Sequence, residues 1–125
     1  MLEDYIVRVT WEQVDEYLNK IVETINPHNY TGVYGIPRGG LVLAAWLSHK
    51  LYLPLLLTPD SKCIIIDDIC DSGDGLKNCL AYYDLQNNEE CFISTMYVGK
   101  NAPTNRINYY QSIKEDNWIA FPWER

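Results

Sequence analysis

The stretch Cys63-Ile64-Ile65-Ile66-Asp67-Asp68 constrains the fold of this chain more than any other. Side chains of a strand alternate between its two faces, so an unbroken apolar run needs cover on both. Such a strand belongs inside a parallel sheet with helices packed on either side. Two carboxylates then follow at the point where the strand leaves the core. Charge is expensive there unless a ligand or a cation meets it.

The flanking sequence supplies the rest of that sheet. Tyr5 to Val9 alternate weakly and predict an edge strand, after which Thr10 and Gln13 form a T-x-x-Q capping box for a helix running to about Ile25. Val14, Leu18, Ile21, Val22 and Ile25 share one face of that helix, and Asn26-Pro27 ends it. Gly32 to Ile36 reads as a strand, Gly39-Gly40 as a turn, and Leu41 to Leu51 as a buried helix. Leu53 to Leu57 and Cys63 to Ile66 read as two doubly buried strands separated by Thr58 to Lys62. Asp74 to Leu85 reads as a helix and Cys91 to Val98 as a further strand. The expectation is an α/β fold with a mostly parallel central sheet flanked by helices, residues 1–125 forming one domain. Ligands of such sheets sit at the carboxyl ends of the strands, where Ile36 to Gly40 and Asp67 to Gly75 both fall.

Seventeen acids against ten bases leave a net charge of −7, which would repel a phosphate backbone and argues against nucleic acid as a partner. A phosphorylated small molecule can still be held through Mg²⁺. No uncharged run approaches the ~20 residues of a membrane span, and no basic-then-apolar leader opens the chain. The expectation is a cytoplasmic protein with no membrane partner. Cys63, Cys70, Cys79 and Cys91 fit neither a CxxC redox pair nor a zinc pattern, and free thiols are expected.

The acidic loop has a chemistry of its own. Ionised Asp67 and Asp68 are acceptors only, and neighbouring sugar hydroxyls are donors that can engage both, directly or through hydrated Mg²⁺. Farther on, Asp71-Ser72-Gly73-Asp74-Gly75 enters a helix, where free N–H groups and the helix dipole favour a phosphate. A receiver-type or phosphatase-like metal cluster is the other reading, but its acids are scattered along a chain and lack the D-S-G turn.

The run from Cys63 to Gly75 resembles the phosphoribosyl pyrophosphate (PRPP) signature of the type I phosphoribosyltransferases, whose core is Rossmann-like. The resemblance implies that Asp67 and Asp68 hold the ribose hydroxyls and, through water, Mg²⁺. It also implies that Asp71, Ser72, Gly73, Asp74 and Gly75 wrap the 5′-phosphate, with Asp71 near purine N7 as general base. Gly75 stands where family members commonly have threonine. Ile36-Pro37-Arg38-Gly39-Gly40 resembles the family's pyrophosphate loop, with Arg38, Gly39 and Gly40 meeting the leaving group. A non-proline cis peptide, often present there, would fall at Pro37–Arg38.

Phe92 to Lys100, with Asp116 to Glu124, is similar to the xanthine-guanine subgroup. By position, Lys100 would donate to a purine 6-oxo group, Trp118 would stack on the ring, and the Ile119 backbone would meet the group at C2. The implied activity is Mg²⁺-dependent transfer of ribose 5-phosphate from PRPP to N9 of guanine, xanthine or hypoxanthine, in a homodimer or homotetramer. In the family a long mobile loop before the PRPP strand closes over the substrate, yet only Thr58 to Lys62 lies there in this chain. The alternative is therefore a non-catalytic PRPP or purine-nucleotide binding protein.

Overall fold

The computed structural model describes residues 5–124. Strand β1 (Ile6–Arg8) leads into helix α1 (Trp11–Thr24), whose start is fixed by the expected capping box. Thr10 Oγ1 accepts from the Gln13 amide at 3.1 Å, and Gln13 Oε1 accepts from the Thr10 amide at 2.8 Å. There follow a 3₁₀ turn (Pro27–Asn29), β2 (Val33–Gly35), α2 (Leu41–Leu51), β3 (Ile64–Cys70), α3 (Asp74–Tyr82), β4 (Phe92–Gly99), β5 (Tyr109–Lys114) and β6 (Trp118–Ala120).

Strands β2, β3, β4 and β5 lie side by side in that order, all parallel. The isoleucine run is one of the two central strands, and its alternation divides the core. Ile64 and Ile66 point to the face covered by Val14, Leu18 and Ile21 of α1 and by Leu43 and Leu47 of α2. Cys63 and Ile65 point to the other face, where Leu76 and Leu80 of α3 pack. Each fully buried isoleucine contributes roughly 1.5–3 kcal/mol, so this run alone anchors both helical layers. All four cysteines are free. No helix among the described residues is long and apolar enough to cross a membrane.

Three expectations need correction. Leu53 to Leu57 is not a buried strand: it makes one isolated bridge, Leu55 to Val33, and Leu55 and Leu57 are 49% and 92% exposed. The Val33 amide donates to the Pro54 carbonyl and the Leu56 amide to the Val33 carbonyl, at 2.9 and 2.8 Å, so the segment lies along the open edge of β2. An edge position leaves no second neighbour to cover its side chains. Strand β1 joins β6 in a separate two-stranded parallel sheet rather than extending the main one. Helix α3 stops at Tyr82, before Asp84 turns into the left-handed region with φ 57°.

The chain leaves β2 for α2 on one face and returns outside β2, whereas it leaves β3 for α3 on the other face and returns inside, to β4. The two loops therefore diverge at the carboxyl ends of β2 and β3, opening a crevice there.

One polar link crosses the core. The buried Tyr17 hydroxyl shares a hydrogen bond with Ser94 Oγ at 2.6 Å, and Ser94 Oγ also reaches the Tyr109 carbonyl at 2.7 Å, tying α1 to β4 and β5. Removing the serine hydroxyl strands the phenol away from water. Ser94→Ala is expected to cost about 1–3 kcal/mol, seen as a lower urea midpoint at unchanged m-value, with Tyr17→Phe in the same chain recovering part of the loss.

Candidate active site

Three clefts meet at the carboxyl ends of β2 and β3, and they share the acids of β3. The largest, about 720 Å³, is lined by Pro37, Arg38, Gly39, Asp67, Asp68, Trp123 and Glu124. A second, about 190 Å³, runs along Asp67, Asp71, Ser72, Gly73 and Gly75, with Thr95 beneath. The third, about 270 Å³, is walled by Asp68, Asp71, Lys114, Trp118, Ile119, Phe121 and Glu124. Two surface hollows beside α3, of about 380 and 470 Å³ around Lys77, Gln86 and Arg106, contain neither Asp67 nor Asp68 and lie apart from this junction.

The loop after β2 is held against β3 by backbone bonds. Ile36 donates to the Ile66 carbonyl at 3.0 Å and Gly40 to the Ile36 carbonyl at 2.8 Å. The Pro37–Arg38 peptide is cis. Gly39 lies directly against Asp68, so a Cβ there would run into the Asp68 carboxylate. Only glycine lets the two loops approach this closely, while Arg38 stays exposed with its guanidinium free to turn toward an anion.

Asp67 and Asp68 sit where β3 emerges from the core. Burial, and then the neighbouring Asp68 charge, push the Asp67 carboxyl up to about 8. Burial likewise raises Asp68, against hydrogen bonds that favour its carboxylate, and the Glu124 charge adds to the rise. Two adjacent acids that resist ionisation together are a receptor for donors or for a cation. Among the described residues no three metal-binding side chains converge on one point. Asp67 and Asp68 nevertheless fit Mg²⁺, which keeps much of its water and takes one or two carboxylates plus oxygens of a bound phosphate.

The loop after β3 turns at Gly73, whose φ of 92° suits glycine, and enters α3 at Asp74. The Asp74 amide donates to Ser72 Oγ at 3.2 Å. An added Cβ at Gly75 would meet nothing within 4 Å, so the loop keeps open room at its last position. Asp71 rests on Gly99 at the end of β4, and its carboxylate lies 3.5 Å from Lys114 Nζ.

The base-side residues come together only in part. Trp118, 66% exposed on β6, offers a free ring face at the mouth of the third cleft, and Ile119 backs it from the core. Lys100 does not line that cleft; its ammonium pairs with Asp116 at 2.8 Å. Lys114, Glu124, Trp123 and Thr95 line the clefts and were not singled out from sequence. Trp123 stacks on Phe121 with ring centroids 4.9 Å apart, which explains its wall position. Thr95 was legible in principle, since it sits opposite Asp67 in the β3–β4 register.

The short segment at Thr58 to Lys62 turns at the opposite end of β3 from these clefts. Asp60 pins it there, accepting from Thr31 Oγ1 at 2.6 Å and from the Lys62 amide at 2.9 Å.

The raised Asp67 carboxyl makes stability depend on pH with a defined sign. Between its unfolded value near 4 and about 8, the folded state binds the extra proton, so stability falls as pH rises through that window. Asp67→Asn removes the charge. The variant is expected to melt several degrees above the wild type at pH 8, on the order of 1 kcal/mol or more, with the gap closing toward pH 4 in thermal scans.

No protein-family model matches the chain. Among curated relatives, the xanthine-guanine phosphoribosyltransferase of Chromohalobacter salexigens is 21% identical, the match covering 93% of this chain and 82% of that one. Among solved structures, a purine phosphoribosyltransferase from Pyrococcus horikoshii superposes with a TM-score of 0.79 at 25% identity, over 97% of this chain and 95% of its own. The Helicobacter pylori xanthine-guanine-hypoxanthine phosphoribosyltransferase has a TM-score of 0.68 at 22% identity, over 95% and 93%. The crevice with its β3 acids and these likenesses agree: the chain has the Rossmann-like α/β fold of the type I phosphoribosyltransferases and is similar to xanthine-guanine phosphoribosyltransferases.

Proposed function

We propose that the protein transfers the ribose 5-phosphate group of PRPP to N9 of a 6-oxopurine and releases pyrophosphate. The observation that carries this reading is the junction itself. Asp67, Asp68 and Asp71 lie where three clefts meet, each with the chemistry of one part of the substrates: Arg38 and Gly39; Ser72, Gly73 and Gly75; and Trp118 with Ile119. The curated and structural relatives carry the name of this activity, and one of them matches over 95% of its own length. A short chain without a long loop at Thr58 to Lys62 is thus compatible with the named fold.

In this reading the bond from C1′ to the pyrophosphate oxygen breaks largely before the bond from C1′ to N9 forms. Asp67 and Asp68 accept hydrogen bonds from the ribose hydroxyls and fix the sugar. They would hold Mg²⁺ through water, and the ion supplies charge neutralisation for the leaving pyrophosphate. Arg38 meets the same anion with its planar fork. The amides and hydroxyl from Ser72 to Gly75 receive the 5′-phosphate. Asp71 takes the proton that the base loses, and Trp118 positions the ring by stacking.

Incubation with Mg²⁺, PRPP and guanine, xanthine or hypoxanthine should yield the matching nucleoside monophosphate by mass spectrometry. Asp71→Asn should lower kcat by about 10²–10⁴, and chelation of Mg²⁺ should abolish turnover. No product with any base would overturn the proposal.

The room beside Gly75 gives an independent test of the phosphate end. Gly75→Thr places a hydroxyl in open space at the start of α3. It should tighten binding of GMP by about tenfold, the scale of one hydrogen bond to a charged group, as measured by calorimetry. Unchanged affinity would move the phosphate away from this loop.

A further inference from the structure

The four cysteines are scattered in sequence, yet the sheet brings two of them together. Cys63 stands just before β3 and Cys91 just before β4, and Ile64 pairs with Phe92 in the register that follows. The Phe92 amide donates to the Cys63 carbonyl at 3.1 Å, so the two cysteines sit side by side on adjacent parallel strands. Both side chains enter the core layer of Leu80 and Leu85. Their thiols converge on one oxygen, the Asp60 carbonyl, 3.4 Å from Cys63 Sγ and 3.2 Å from Cys91 Sγ, and lie within hydrogen-bonding reach of each other. Asn88 fixes the two loops that carry them, donating to the Ser61 carbonyl at 2.9 Å and accepting from the Cys91 amide at 2.8 Å. Neither cysteine lines the clefts at the far end of β3.

The two thiols differ in access. Cys63 is wholly buried, whereas Cys91 keeps a small exposed surface and forms part of the wall of the 470 Å³ hollow with Asn88, Arg106 and Asn108. The hydrogen bond from Cys63, with the Arg106 charge adding to it, holds the Cys91 thiol below its ordinary range against burial. The same bond, and then burial, push Cys63 up. Cys91 is therefore the thiolate of the pair and Cys63 the partner that keeps its proton.

We propose that Cys91 and Cys63 form a peroxide-reactive pair, in which Cys91 attacks a hydrogen peroxide molecule entering the hollow and Cys63 resolves the product as a disulfide. In the first step the Cys91 thiolate bonds to one peroxide oxygen, the O–O bond breaks, and the departing hydroxide takes a proton from solvent to become water. In the second the Cys63 sulfur attacks the Cys91 sulfenic acid. An S–S bond forms, the S–O bond breaks, and the hydroxide leaves with the Cys63 proton as water. Together the two sulfurs lose two electrons, which the peroxide gains. The backbone already suits the bridge, because neighbouring strands run ~4.8 Å apart and a disulfide spans Cα separations of about 4.4–6.8 Å. Asp60 is exposed, so water takes the place of the two thiol donors at its carbonyl.

The test treats the reduced full chain with hydrogen peroxide under native conditions, quenches with N-ethylmaleimide, and maps all four cysteines by peptide mass spectrometry. Cys91 is expected to react before Cys79, which is more exposed but whose thiol burial pushes up to about 11. The product should be a linked Cys63–Cys91 peptide pair lighter by two hydrogens and separated by dithiothreitol. In Cys63→Ala, Cys91 should stop at the sulfenic acid and be trapped by dimedone. In Cys91→Ala, Cys63 should stay reduced at the same dose. First oxidation at Cys79 or Cys70, or a Cys63–Cys91 link that is missing from the folded protein and forms only in urea, would overturn the proposal. The map is read on the wild-type chain, so a variant that fails to fold does not decide the result, and the transfer reading stands or falls separately.

Discussion

Everything in this molecule is arranged around the desolvation of two carboxylates. Strand β3 lies between β2 and β4 and under helices on both faces, so the position at which it can first carry charge is the last turn of pleat before the crevice. The fold keeps Asp67 and Asp68 there although burial resists their ionisation. Such a site favours ligands that bring donors or cations, because these lower the free energy of the ionised form without disturbing the core. Binding of a diol or of Mg²⁺ at this place is consequently linked to release of a proton near neutral pH, whatever ligand carries it.

The remaining features follow from holding loops against that strand. Gly39 is admitted because the carboxylate of Asp68 leaves no room for a Cβ, and Asp71 is seated because Gly99 has none. Two backbones converge on one row of acids from opposite sides, and the crevice between them is the consequence of α2 and α3 covering opposite faces. The segment at Thr58 to Lys62 has no part in this; Asp60 anchors it at the far end of β3.

What could be read from the residues alone was what depends on neighbours in the chain. The capping box at Thr10 and Gln13, the isoleucine strand, the Gly39-Gly40 turn and the acids after Ile66 are local patterns, and each is found where its pattern places it. Leu53 to Leu57 has the same apolar composition as a central strand, and nothing in five residues says that it will lie at an edge; only the pairing decides. Strands β5 and β6 were illegible for a related reason. Tyr109 to Lys114 mixes polar and apolar residues because it borders the sheet, and Trp118 to Ala120 is a strand only through β1, more than a hundred residues earlier in the chain.

The same limit explains the two lysines. Lys100 follows a strand that the sequence announces, so positional reasoning lands on it. Lys114 ends a strand created by tertiary pairing, and its partner Asp71 lies forty-three residues away along the chain. Side chains on a strand alternate, so the register of β4 with β5 decides which ammonium enters the cleft and which remains outside. That register sets Gly99 opposite Lys114, and the glycine leaves Asp71 the space from which to hold the second lysine. A residue type can be inferred from a motif; the side of the sheet on which its charge appears is fixed by the pairing.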